Sequence, residues 1–80
     1  ILNNDEPILN EELFEKLKTW RKVRAYRENI KPYIIFSDAT LISICNTKPK
    51  SIEELMEIRG IGEKKIKAYG DEIIELIEKS

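Results

Sequence analysis

Apolar residues recur at helical spacing through most of this chain, and the breaks between runs carry cap and turn chemistry. Asn10 is placed to cap a first helix, Glu11 and Glu12 suit the positive end of its dipole, and Leu13, Leu17 and Trp20 follow at helical intervals. The pattern predicts one long helix to about Asn29. Stepped at about 100° per residue, Leu13, Leu17 and Trp20 share one side, with Phe14 and Ala25 at its flank, and Lys18 and Lys22 point almost directly away. Arg24 falls inside the apolar stripe, so its stem is expected to pack while its guanidinium reaches the edge.

Pro32 ends that helix and pushes Lys31 out of helical geometry. Tyr33, Ile34, Ile35 and Phe36 then arrive together as a buried apolar corner, around which most other helices are expected to pack. Ser37 caps a second helix and Asp38 fills its first turn; this helix runs to about Asn46 and buries Leu41, Ile42 and either Cys45 or Ile44. Thr47-Lys48-Pro49-Lys50 breaks it. Ser51-Ile52-Glu53-Glu54 has the form of a capping box, in which Ser51 and Glu54 each bind the other's backbone N–H. It opens a short third helix with Ile52, Leu55 and Met56 inward. Gly60 and Gly62 flank Ile61, which permits a tight hairpin of two helices with Ile61 plugged between them. A fourth helix is expected to stop at Gly70, and Asp71 to begin a fifth with Ile73, Ile74 and Ile77 on its inner face. Tyr33 to Phe36 is too short and unpaired to form a sheet. The fold class is therefore all-α: a compact five-helix bundle with a helix-hairpin-helix-like turn at Gly60-Ile61-Gly62.

The totals agree with that reading. Eighty residues make one domain, with roughly 60% of the unfolded chain's surface buried on folding. An apolar fraction of 41% beside 36% charged residues describes an ordinary globular domain, and no apolar run approaches the ~20 residues that span a bilayer. The chain shows no signal peptide, and it starts at Ile1 rather than Met, which suggests a piece of a longer protein: residues 1–9 as a linker, residues 10–80 as the domain. A cytoplasmic setting fits the single cysteine, Cys45, which reads as a buried thiol on an apolar helix face. With no histidine and no cysteine pair, common zinc sites and histidine-based triads are excluded from these residues.

Charge changes the picture more. The net charge is −1, yet residues 16–31 carry Lys16, Lys18, Arg21, Lys22, Arg24, Arg27 and Lys31 against Glu28, seven bases to one acid or +6. Acidic stretches flank it: Asp5, Glu6, Glu11, Glu12 and Glu15 before, and Asp71, Glu72, Glu75 and Glu78 near the end. Lysines and arginines along a helix can neutralise successive phosphates and release counterions, and an exposed ring beside them can stack a base. Tyr33, next to Lys31, is placed for that; Tyr26 on the outer face of the first helix is an alternative. The same stripe could instead serve solubility alone. The Gly60-Ile61-Gly62 turn, followed by Lys64 and Lys65, offers backbone N–H groups and charge to a phosphate, or is purely a packing device. Glu53, Glu54 and Glu57 read as a solvated face rather than a metal or acid–base site, and Trp20 as a core anchor.

Three segments together resemble the HRDC domain, the helical module found near the C-terminus of RecQ-type DNA helicases and of ribonuclease D. They are Leu13-Phe14-Glu15-Lys16-Leu17 with Trp20-Arg21; Pro32-Tyr33-Ile34-Ile35-Phe36-Ser37-Asp38-Ala39-Thr40-Leu41; and Ile58-Arg59-Gly60-Ile61-Gly62-Glu63-Lys64-Lys65 with Tyr69-Gly70. The middle segment is the most specific. Lys31 stands where the family usually has the first proline of Pro-Pro-Tyr, which adds charge at the corner. Arg24 stands where relatives often carry an apolar residue.

The resemblance implies a non-catalytic five-helix domain without a cofactor that assists a parent enzyme, commonly by binding single-stranded or partly duplex DNA without base-sequence specificity. Lys18, Arg21, Lys22 and Lys31 are the expected phosphate contacts and Tyr33 the stacking platform, with Lys64 and Lys65 as a weaker second site. The expected parent is an ATP-dependent RecQ-type helicase whose core is a partner in the same polypeptide; no membrane partner is expected, and the isolated domain is expected to be a monomer. Other readings are a protein-docking module using the acidic last helix and the acidic N-terminal turn, the corresponding domain of a ribonuclease D-like exonuclease, and a UvrD-type helicase parent.

Overall fold

The structure, a computed structural model, describes residues 7–80. Five helices follow in order: α1 (Glu11–Glu28), α2 (Pro32–Ile35), α3 (Asp38–Thr47), α4 (Ile52–Met56) and α5 (Glu63–Glu78), with no strand among the described residues. The expected linker, residues 1–9, lies mostly outside the described residues. At its inner end, Asn46 Nδ2 donates to the Pro7 carbonyl (2.7 Å) and its Oδ1 accepts from the Leu9 N–H (2.9 Å).

The expected caps form. Asn10 accepts from the Leu13 N–H at 3.0 Å, Ser37 from the Thr40 N–H at 3.2 Å and Ser51 from the Glu54 N–H at 3.2 Å. The capping box at Ser51 is shifted by one residue, since the Glu54 carboxylate accepts from the N–H of Lys50 rather than of Ser51. Asn29 closes α1 in the left-handed region (φ 57°), which asparagine tolerates.

Five helices were expected, but two of them differ. Pro32 to Ile35 is itself a helical turn with Pro32 at its first position, where the missing N–H and fixed φ suit a helix start. Lys31 before it is extended (φ −76°, ψ 145°), as a residue preceding proline should be. Gly70 does not end a helix: α5 runs through it without interruption. Tyr69 and Ile73 are buried on either side of it, and a Cβ at Gly70 would lie 2.9 Å from Ile52 Cδ1 of α4, so the glycine lets α4 and α5 approach. Burial of the flanking residues outweighs the ~1 kcal/mol that glycine costs a helix interior.

The core consists of Leu13, Phe14, Leu17 and Ala25 of α1, Ile35 and Phe36, Leu41, Ile44 and Cys45 of α3, Leu55, Ile58 and Ile61, and Tyr69 and Ile73 of α5. α1 packs on α2, α3 and α5, and α4 packs on α5. Two expectations about burial need correction. The apolar corner is split, with Ile35 and Phe36 fully inside and Tyr33 (64% exposed) and Ile34 (49%) outside, because one helical turn cannot face four successive side chains inward. Met56 is also exposed, at the last turn of the five-residue α4. Gly60 adopts φ +95°, and a Cβ there would meet Thr40 Oγ1 at 2.5 Å, so that turn requires glycine on two counts. Ile61 plugs the hairpin as expected.

Candidate nucleic-acid interface

Lys18 and Lys22 lie four residues apart on the solvent face of α1, both exposed. With Glu15, Thr19, Arg21 and Pro32 they line an open cleft of about 370 Å³, so the start of α2 sits against this face of α1. Lys31 and Tyr33 flank Pro32 in the chain, both exposed. Four of the expected residues are thereby gathered around one corner. The Lys18 ammonium lies 5.4 Å from the Phe14 ring centroid, and Lys22 and Lys31 make no ion pair among the described residues. Tyr26, 88% exposed, continues the Lys18–Lys22 line by another four residues.

Arg21 departs from the expected set. Its side chain is buried; Nη1 donates to the Phe36 carbonyl at 2.8 Å and Nη2 pairs with Asp38 at 2.8 Å, while Nε has no hydrogen-bond partner. The guanidinium is thus committed to holding α1 against the α2–α3 corner and is not presented to a phosphate. The spacing Leu17, Arg21, Ala25 on one helix face carried this signal: four-residue steps place Arg21 between two core residues.

Arg24 behaves as its position in the apolar stripe suggested. Its guanidinium stacks 5.0 Å over the Tyr69 ring, Nε bonds Glu28 at 2.7 Å and Nη1 bonds Glu72. Glu28 also accepts from the Tyr69 hydroxyl (2.9 Å), and Glu72 from the Trp20 indole N–H (2.9 Å). The Arg24 hydrogen bond, then that of Tyr69, holds the Glu28 carboxyl below its ordinary range; the Trp20 bond, then Arg24, does so for Glu72. Burial, then the bond to Glu28, raises the Tyr69 hydroxyl, and bonds to Glu28 and Glu72 raise Arg24. This cluster locks α1 to α5 beside an aromatic trio: Trp20 stacks on Phe36 (6.1 Å) and meets Tyr69 edge-on (5.6 Å). Glu72 is therefore spent on Arg24 and Trp20.

The two lysines of the expected second site differ from each other. Lys64 is exposed in the first turn of α5, whose N-cap Gly62 supplies no side-chain acceptor. Lys65 is half-buried, its ammonium 5.4 Å from the Phe36 ring centroid, which places it beside the α2–α3 corner. Among the described residues no group of three or more His, Cys, Asp or Glu side chains could hold a metal ion, and no helix is long and apolar enough to cross a membrane.

The HRDC domain family matches residues 10–77. Over 69 residues, 86% of this chain, the sequence is 38% identical to the ATP-dependent DNA helicase UvrD2 of Mycobacterium tuberculosis H37Rv, 38% to the ATP-dependent DNA helicase RecQ of Bacillus subtilis and 39% to that of Haemophilus influenzae. The matched stretches are 10%, 12% and 11% of those proteins, so the chain spans about a tenth of their length. HRDC domain 3 of D. radiodurans RecQ superposes with a TM-score of 0.85 at 32% identity, covering 89% of this chain and 93% of that one. A family match across nearly all of α1 to α5, with relatives and a solved structure of this likeness over the same stretch, makes the chain a member of the HRDC domain family.

Proposed function

We propose that the chain is an accessory nucleic-acid-binding domain of a RecQ-type DNA helicase, which contacts single-stranded or partly duplex DNA without base-sequence specificity. The observation that carries this reading is the cleft between α1 and α2, where Lys18 and Lys22 face Pro32, with exposed Lys31 and Tyr33 on either side of that proline. Three cations and one ring at a single corner suit a short run of phosphates with one stacked base. Lys64 and Lys65 form the weaker second site, and Arg21 serves as a positioning residue for the corner. Phosphate contacts and a stacked ring carry no base-edge readout, and affinity is expected at roughly 10⁻⁴ to 10⁻⁶ M at physiological salt. The UvrD2 relatives support a second parent, a UvrD-type helicase, and the motifs of the attached ATPase core would separate the two.

The experiment is an amide chemical-shift titration of the ¹⁵N-labelled domain with a short single-stranded oligonucleotide at low and high salt. Shifts clustered on α1 residues 18–26 and on Lys31 to Tyr33, fading as salt rises, are expected. If Lys22→Ala and Tyr33→Ala both leave the affinity unchanged, this surface is the wrong one.

A further inference from the structure

Tyr26 is 88% exposed, the most exposed large apolar side chain among the described residues. Trp20, Phe36 and Tyr69 supply the aromatic packing of the core, and the Tyr26 ring takes no part in it. Its setting is instead cationic. Lys22 lies one turn back on the same face of α1, within about 40° around the axis and about 6 Å along it, and Lys18 lies a further turn back. Lys22 also shares the lysine cleft with Pro32, whose chain neighbours are the exposed Lys31 and Tyr33. One cation therefore stands a helical turn from Tyr26 and beside the proline that carries Tyr33.

The surrounding carboxylates leave that position open to a phosphate. Residues 16–31 contain a single one, Glu28, which is turned about 160° from Tyr26 around the helix and accepts hydrogen bonds from Arg24 and Tyr69. Glu15 lies about 16 Å back along α1, and Asp38 is paired with Arg21. A ring beside a cation offers one strand a stacking face and a phosphate contact together. We propose that Tyr26 is a second stacking residue of this interface: one base lies on Tyr26, another on Tyr33, and the backbone between them passes Lys22. From Lys18 to Tyr26 is about 12 Å, the axial length of three to four stacked nucleotides at about 3.4 Å each. The inference rests on the nucleic-acid reading of this corner and extends it from one stacked base to two. Bases on both rings must be unpaired, so Tyr26 serves a single strand and not a closed duplex.

The probes are a labelled twelve-residue oligothymidylate and a labelled abasic strand with the same number of phosphates, followed by fluorescence anisotropy. Tyr26→Ala should weaken binding of the oligothymidylate by at least about fivefold, the lower end of the loss from removing one stacked ring. Its salt slope should stay as in the parent, because a ring releases no counterion. Tyr26→Phe keeps the ring and should bind like the parent. The abasic strand should bind the parent and Tyr26→Ala alike, and the urea midpoint of Tyr26→Ala should equal the parent's, since the ring packs against nothing in the core. If Lys22→Ala and Tyr33→Ala weaken the oligothymidylate while Tyr26→Ala does not, the second stacking role is overturned and the corner itself stands. If none of the three weakens it, the corner is the wrong surface and the inference falls with it. Equal losses on the abasic strand and the oligothymidylate in Tyr26→Ala would assign the ring to the backbone and also overturn the proposal.

Discussion

Arg21 and Asp38 form an ion pair of 2.8 Å whose two members live in different surroundings: the arginine side chain is 10% exposed, the aspartate 75%. Most of what the pair contributes therefore resides in the arginine, which also bonds the Phe36 carbonyl. Arg21→Ala leaves that carbonyl without its donor and opens the packing between Leu17 and Ala25, a loss of about 2 to 4 kcal/mol. Asp38→Ala removes only an exposed partner and a first-turn carboxylate of α3, about 0.5 to 1 kcal/mol. Urea unfolding of both variants checks the asymmetry; equal losses would contradict it.

The α1–α5 cluster should weaken at both ends of the pH scale. Glu28 and Glu72 are depressed below their ordinary 4.5, so the stability they contribute is present above that value and lost as pH falls through their lower folded values. Tyr69 is raised above its ordinary 10.0, so its contribution is complete below pH 10 and lost as pH rises through the folded value. Midpoints of urea unfolding across pH should therefore fall in acid and again in alkali. Glu28→Gln with Glu72→Gln should flatten the acid limb, and Tyr69→Phe the alkaline one. The acid limb should also shrink in high salt, because these carboxylates are substantially exposed.

Gly60 and Gly62 look equivalent in the sequence and are not equivalent in the fold. Gly60→Ala meets both a φ of +95° and a contact of 2.5 Å with Thr40, and should cost about 1 to 3 kcal/mol. Gly62 has an extended backbone and open space, so Gly62→Ala should stay within about 1 kcal/mol of the parent, the scale of losing a glycine N-cap. Thermal unfolding of the pair decides this, and similar losses would be inconsistent with the geometry of the turn.

Gly70→Ala tests the continuity of α5. At a left-handed helix stop, alanine would be strained. Within an unbroken helix it gains up to about 1 kcal/mol of helix propensity against a contact with the movable Ile52 Cδ1, for a net change near zero. A loss above about 2 kcal/mol by urea unfolding would point to a break at Gly70.

That glycine also marks where the sequence was legible and where it was not. Leu13, Leu17 and the caps Asn10, Ser37 and Ser51 were readable because periodicity and cap chemistry are local. Gly70 was misread as a stop because its reason is tertiary, the approach of Ile52 from another helix. Ile34 was misread as buried because four adjacent apolar residues look alike until the turn they form divides them. Arg21 was misread as a surface cation because its partners, Phe36 and Asp38, lie fifteen and seventeen residues on, whereas Lys18, Lys22 and Lys31 needed only to be exposed.

The roles proposed at the corner separate in their salt dependence. If Lys18, Lys22 and Lys31 each neutralise one phosphate of a single strand, log affinity should fall against log salt with a slope of about −2, since each contact on a single strand contributes about −0.7. Lys22→Ala should weaken binding and reduce the slope in magnitude by about 0.7. Tyr33→Ala should weaken binding by about 1 to 3 kcal/mol and leave the slope unchanged, because a stacked ring releases no counterion. Tyr33→Phe keeps the ring and should bind like the parent. Arg21→Lys should alter affinity only to the extent that it loosens the corner, with the slope intact, since this guanidinium faces Phe36 and Asp38 rather than solvent. Fluorescence anisotropy of a labelled oligonucleotide across a salt series measures all four variants. A slope that changes with Tyr33→Ala or stays fixed with Lys22→Ala would contradict this division of labour between charge and ring.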